Sequence, residues 1–246
     1  MTAITFDTVS KSFKLGLKTS TVLHSLSLSV HHGEIFGFLG PNGAGKSTSI
    51  KLLLNFIRPT KGRILVDDRI VGKQAFQDLI GYLPEMPSFY ENLTGMELLR
   101  FAGSAHGMSH AAIASEGQQI LKRLNLDRAA HHRVKTYSKG MKQRLGLALS
   151  LVHDPSIYIL DEPMSGLDPM GRRLITDVIL ELRAKGKTVF FSSHILSDIE
   201  RMCDRIGILN RGRLLYCGRV DDFNQGGSFE DGFIHLISQD NRSGLQ

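Results

Sequence analysis

Hydrophobic and polar positions alternate in short runs at the start of the chain. Over residues 4–9 and 22–30 apolar side chains recur at alternate positions, with Leu26, Leu28 and Val30 on one side of the second run. That is the period of a half-buried strand. The two runs predict strands of an antiparallel edge layer, joined by a polar loop through Gly16 and Thr19-Ser20-Thr21. Further brief apolar runs at 34–39, 62–67, 79–83, 157–160, 188–191 and 205–209 are flanked by polar turns. Stretches of helical period separate the later ones, the arrangement of an α/β protein with a parallel core sheet.

Between Pro84 and Val152 the period changes. Apolar residues fall at helical intervals in Leu98, Leu99 and Ala102, in Ile113, Ile120, Leu121 and Leu124, and in Leu145, Leu147 and Leu149. This predicts a helical insert over 86–152 inside one domain, with an α/β core made of 1–85 and 153–220. Asp168-Pro169 predicts a helix start, Asp as the cap and Pro at the first helical position. Met170, Leu174, Val178 and Leu182 then line one face until Gly186 stops the helix. Residues 221–246 are expected to form a small helical tail: Gly226-Gly227 precede Phe229, Phe233, Leu236 and Ile237, with fraying from Asp240.

Composition narrows the classes. A chain of 246 residues can bury a substantial core, and its formal charge of +6 is scattered rather than blocked, which permits salt-sensitive attraction to a membrane surface or nucleic acid without pointing to either. The two cysteines, Cys203 and Cys217, lack metal-ligand spacing; they are read as inert core thiols in a reducing compartment. His31-His32 and His131-His132 read as exposed linker pairs rather than a zinc site. Asp7 and Lys11 interrupt any N-terminal secretory signal, and no apolar stretch approaches 18 residues, so the polypeptide is not expected to span a membrane.

The most informative motif is Gly40-Pro41-Asn42-Gly43-Ala44-Gly45-Lys46-Ser47-Thr48, placed between a predicted strand and a predicted helix over 46–56. The glycines let backbone N–H groups converge on one concavity, and the helix adds its positive end. Lys46 can reach terminal phosphates, Ser47 can ligate Mg2+, and Thr48 sits just behind it. A second signal is Ile157-Tyr158-Ile159-Leu160-Asp161-Glu162-Pro163. Its apolar run drives a strand into the sheet, so Asp161 and Glu162 emerge at the carboxyl end, where open α/β sheets bind ligands. Asp161 is placed to hold Mg2+ through its water shell, and Glu162 to polarise water for attack on the terminal phosphate. His194, after Val189-Phe190-Phe191-Ser192-Ser193, leaves another strand end and could hydrogen-bond a phosphate.

Taken in order, these motifs give a chain that resembles the ATP-binding subunit of an ABC transporter over about residues 2–220. The resemblance includes a loop at Tyr82-Leu83-Pro84-Glu85, a signature segment Tyr137-Ser138-Lys139-Gly140-Met141-Lys142-Gln143-Arg144, a loop Ser165-Gly166-Leu167-Asp168, and the switch histidine His194. It implies a P-loop NTPase fold of the ABC ATPase type: a mixed core sheet, an antiparallel edge layer and the helical insert. It implies ATP and Mg2+ as ligands, Phe13 stacking on adenine with Phe6 as the fallback, and Glu85 approaching Mg2+. Ser138 and Gly140 of one subunit, with Asp168, would face the ATP held by Lys46 of another in a head-to-tail homodimer or heterodimer.

Two departures from the family pattern stand out. The first glycine and the glutamine of the usual Leu-Ser-Gly-Gly-Gln are absent from the signature segment, and Glu85 replaces a glutamine. Both resemble subunits of type-2 export systems. The implied activity is ATP hydrolysis driving export through a separate membrane-spanning permease subunit. The chain would then be peripheral at the cytoplasmic face of the inner membrane, with the 85–94 segment as the contact and Phe89, Tyr90 and Leu93 as anchors. The competing class is a soluble ABC-type ATPase acting on nucleic acid or the ribosome. Such proteins carry coiled arms or a duplicated cassette, and neither pattern is present, so no direct nucleic-acid partner is expected.

Overall fold

The structure, a computed structural model, describes residues 1–16, 18–223 and 228–243; the expected Gly226-Gly227 break lies outside them. In chain order the elements begin with β1 (Thr2–Leu15), β2 (Lys18–His31), β3 (Ile35–Leu39), α1 (Lys46–Leu53), β4 (Lys61–Val66) and β5 (Arg69–Ile70). Next come β6 (Ile80–Leu83), α2 (Gly95–Ala105), α3 (His110–Arg123), α4 (Lys139–Leu151), β7 (Ile157–Asp161) and α5 (Pro169–Ala184). Then follow β8 (Thr188–Ser193), α6 (Leu196–Met202), β9 (Arg205–Asn210), β10 (Arg213–Arg219), α7 (Val220–Phe223) and α8 (Phe229–Ser243). Two compact units result, Met1–Phe76 with Thr188–Gln246, and Gln77–Lys187.

The first unit contains two sheets. One is antiparallel in the order β2-β1-β4-β5, as the alternating pattern predicts, with Leu26, Leu28 and Val30 all buried. Its first hairpin is longer than expected. Thr19, Ser20 and Thr21 lie inside β2, paired with Lys14, Phe13 and Ser12, because irregularities around Thr8 and Ser25 bend the strands without ending them. Threonines suit such a pleated, half-wet surface. The second sheet sets β9, β3 and β8 side by side in parallel, with β10 antiparallel on β9. All five residues of β3 are buried, and Phe36 and Phe38 pack on Phe190 with ring centroids 5.8 and 5.3 Å apart. Strand β10 has no clear period in the sequence, since most of its residues are half-exposed.

The tail departs from expectation at its end. Helix α8 continues past Asp240 to Ser243, because the buried Asn210 donates from Nδ2 to Asp240 Oδ2 at 2.8 Å and Asn241 Oδ1 at 3.1 Å. Cys217 also differs from the core thiol expected: it is exposed on β10, whereas Cys203 is half-buried and burial pushes its thiol well above the usual range.

In the second unit β6 and β7 pair in parallel, and α2, α3 and α4 form the helical part. Every long helix here starts on a side-chain cap. Thr94 and Glu97 make a capping box on α2, and Ser109, Ser138 and Asp168 cap α3, α4 and α5. Arg123 on α3 pairs with Glu181 on α5. Among the described residues no helix is long and apolar enough to cross a membrane.

Candidate functional site

The 40–48 loop leaves the carboxyl end of β3. Positive φ values of 152° at Gly40 and 111° at Gly45 coil its backbone, a conformation closed to most side-chain-bearing residues. Space forbids a side chain as well: a Cβ on Gly40 would lie 2.2 Å from the Leu209 carbonyl oxygen, and one on Gly45 would lie 2.7 Å from Leu23 Cδ2. Helix α1 starts at Lys46 with no side chain bonded at its cap, so the donors of its first turn are available to an anion. Lys46 is 7% exposed, and its ammonium donates to the carbonyls of Gly40 at 2.6 Å and Pro41 at 3.4 Å, folded over the mouth of the loop. Ser47 is exposed and Thr48 half-buried behind it.

Neighbouring strands fix what stands beside this loop. Leu39 pairs in register with Ser193 on β8, so Gly40 and His194 leave adjacent parallel strands at the same end. His194 is exposed in the turn closed by Ile195 N–H donating to Ser193 Oγ at 3.0 Å. Sequence reading overlooked Gly212 in the β9–β10 turn. Its N–H donates to the Ala44 carbonyl at 2.8 Å, and its own carbonyl accepts from His24 N–H at 2.9 Å, tying the phosphate loop to β2. An Arg-Gly pair between two apolar runs was the available hairpin signal. The two adenine candidates separate cleanly. Phe6 is 2% exposed and belongs to the core, whereas Phe13 is 37% exposed on β1 with the Lys11 ammonium 4.9 Å from its ring centre. The fallback is thereby removed, and only Phe13 offers a face for stacking.

In the second unit Leu83 pairs with Leu160, so Glu85 and the Asp161-Glu162 pair leave neighbouring parallel strands at one end. The carboxylates are not in a solvated turn: Asp161 is 6% and Glu162 8% exposed, and Glu162 takes a positive φ of 48°. Two adjacent buried carboxylates are costly without a cation or donors beside them. Burial, with the Asp161 charge nearby, pushes the Tyr82 phenol up to about 12. Gln143, another residue that sequence reading did not single out, is buried on α4 and donates from Nε2 to the Pro163 carbonyl at 3.3 Å. The carboxylate turn is thus held from the signature helix. An amide on the apolar side of a helix among leucines was the trace it left in the sequence. Glu85 is exposed.

Ser138 accepts from Met141 N–H at 3.2 Å and Asp168 from Gly171 N–H at 2.7 Å, each capping its helix as expected. Together with Gly140, Gly166 and Arg144 they line one open cleft of about 460 Å³. Two helix N-termini therefore face a single space. Phe13, the 40–48 loop and His194 belong to the first unit; Glu85, Ser138, Gly140, Asp161, Glu162 and Asp168 belong to the second. Among the described residues no group of three or more histidine, cysteine or acidic side chains forms a metal cage. A Mg2+ ion carried on phosphates needs only one or two protein oxygens.

Comparison with known proteins agrees with this geometry. The family model described as ABC transporter matches residues 23–165. An ABC transporter ATP-binding protein of Nostoc sp. is 46% identical over 205 residues, covering 81% of this chain and 60% of that protein. The fluoroquinolones export ATP-binding protein of Mycobacterium tuberculosis is 38% identical over 206 residues, covering 83% of this chain and 67% of that one. The solved structure of an ATP-binding subunit of an ABC transporter superposes with a TM-score of 0.88 at 32% identity, covering 96% of this chain and 99% of the other. The chain spans about three-fifths of the length of the Nostoc relative. With its glycine-rich loop, buried carboxylate strand end and capped signature helix, the chain belongs to the ABC transporter family as an ATP-binding cassette with the P-loop NTPase fold.

Proposed function

We propose that this chain hydrolyses ATP to drive export through a separate membrane-spanning permease subunit, with two cassettes closing head to tail over the nucleotide. The observation that carries the reading is the cleft shared by the Ser138 and Asp168 helix starts. It presents a hydroxyl, backbone donors and two positive helix ends to an anion. In the proposed closed pair a second copy supplies the phosphate loop. The composite site then has Lys46 and the loop N–H groups of one subunit on the phosphates, and Ser138, Gly140 and Asp168 of the other facing the terminal phosphate. Phe13 stacks on adenine.

Glu162 accepts a proton from the attacking water as its oxygen bonds to the terminal phosphorus. The bond to the bridging oxygen breaks and ADP leaves. His194 hydrogen-bonds the terminal phosphate and Lys46 stabilises its developing charge. Mg2+ would be held through Ser47, Asp161 and Glu85, and when bound it neutralises phosphate charge. Closure on ATP and release after hydrolysis move the permease, which seats against the 85–94 segment. Met86 and Tyr90 there are 77% and 74% exposed. The similarity to the fluoroquinolones export ATP-binding protein of Mycobacterium and the altered signature support export. On this reading the chain works peripherally at the cytoplasmic face of the inner membrane.

The test is hydrolysis by Glu162→Gln. Loss of the general base should lower kcat by about 100-fold or more while ATP binding persists, and the variant should accumulate as an ATP-bound dimer. Wild-type turnover in this variant would remove Glu162 from catalysis. Recovery of ribosomes or nucleic acid, rather than a membrane protein, on the chain used as bait would contradict the transport reading.

A further inference from the structure

Glu91 and Lys142 stand far apart in sequence, yet Lys142 Nζ donates to Glu91 Oε1 at 2.6 Å. That hydrogen bond, reinforced by the lysine charge, holds the Glu91 carboxyl below its usual range. The location of the pair gives it meaning. Glu91 follows directly on the exposed Tyr90, while Lys142 closes the first turn of α4, its N–H donating at 2.9 Å to the carbonyl of Ser138.

The chain around Glu91 is already stapled to the residues that lead into α4. The Glu91 carbonyl accepts from Lys135 N–H at 3.0 Å, and the Leu93 carbonyl accepts from Val134 N–H at 2.8 Å. Thr94 bridges to Arg133, and Met96 N–H donates to the Ala130 carbonyl at 3.0 Å. The ion pair extends this attachment from the residues before α4 to the helix itself. Exposed ion pairs add little to fold stability, so the worth of this one lies in geometry.

We propose that Glu91 and Lys142 are positioning residues whose ion pair passes the placement of the 85–94 segment to the turn carrying Ser138. A membrane subunit seated on Met86 and Tyr90 thereby sets how Ser138 meets the nucleotide of a second copy. The role rests on the sharing of ATP between copies proposed above. Lys142 stands one residue beyond Met141 in the signature segment, and Glu91 lies six residues beyond Glu85.

Steady-state hydrolysis by the purified chain tests this. Glu91→Gln and Lys142→Gln should each lower kcat about fivefold, with ATP affinity within about twofold of wild type because the Lys46 loop is untouched. Melting temperatures should not move. The exchanged pair, Glu91→Lys with Lys142→Glu, should recover at least about half of the lost kcat. Single variants with wild-type kcat, or an exchanged pair no better than the singles at unchanged melting temperature, would overturn the proposal. A wild-type chain that binds ATP without hydrolysing it would overturn the underlying reading of function, a distinguishable result.

Discussion

The phosphate loop and the signature turn both present a helix N-terminus to an anion, but they are built in opposite ways. The loop is made of backbone. Its glycines are wedged against Leu209 and Leu23, Lys46 is nearly buried, and Gly212 braces it from behind. The signature turn is made of exposed side chains. Ser138 and Asp168 are caps on the rim of an open cleft, and Lys142 holds its place through an ion pair at the surface. A preorganised loop can bind phosphate by itself, whereas the capped, exposed turn is, on the proposed function, half a site that awaits its other half. On the proposed function, the contrast predicts that one chain alone binds ATP but turns it over slowly.

Separate substitutions should pull the two regions apart. Lys46→Ala removes a charge-assisted contact and should weaken ATP binding by about 10- to 100-fold, measured by fluorescent-nucleotide titration of the isolated chain. Ser138→Arg should leave that affinity intact and abolish hydrolysis. Equal affinity losses in the two variants would erase the distinction. A smaller effect belongs to adenine. Phe13→Ala should cost about 1 kcal/mol of binding, roughly fivefold, while Phe13→Tyr should match wild type in the same titration.

The smallest effect concerns pH and the second unit alone. His153 Nε2 donates to the Ile80 carbonyl at 3.2 Å, and its ring stacks on His106 with centroids 3.6 Å apart. Burial, then the neighbouring His106, holds its pKa below the usual 6.5, against the opposing pull of the hydrogen bond to the Ile80 carbonyl and then of Asp154 and Asp78. A depressed folded pKa means that its contribution to stability is present above pH 6.5 and is lost as the pH falls. The melting temperature should drop on acidification from pH 7.5 to 5.5, and the drop should shrink in His153→Gln. An identical acid profile in that variant would assign the sensitivity elsewhere.

How much of this was legible in the sequence follows the same division. Strand β3 and the loop were readable because local pattern and local chemistry coincide: a short apolar run, then glycines whose conformation is needed where they stand. The caps at Ser138 and Asp168 were readable for the same reason. Gly212, Gln143 and the Glu91–Lys142 pair were not, because each acts on a partner at least 20 residues away in sequence. Strand β10 was missed because an edge strand with half-exposed side chains has no strong period. The run from Thr19 to Thr21 was misread as loop because polar residues on a wet sheet face look like a turn until their pairing partners are known. Helix α8 outran its expected end because Asn210, distant in sequence, holds Asp240.

The most direct measurement is complementation between two disabled chains. Lys46→Ala and Ser138→Arg are each purified, confirmed inactive, and mixed in equal amounts with ATP. If the signature turn of one copy completes the phosphate loop of another, the mixed dimer holds one intact site, and hydrolysis should return to about a quarter of the wild-type rate. A mixture as inactive as its components would mean that Ser138 and Lys46 serve the same subunit's nucleotide, contradicting the shared site.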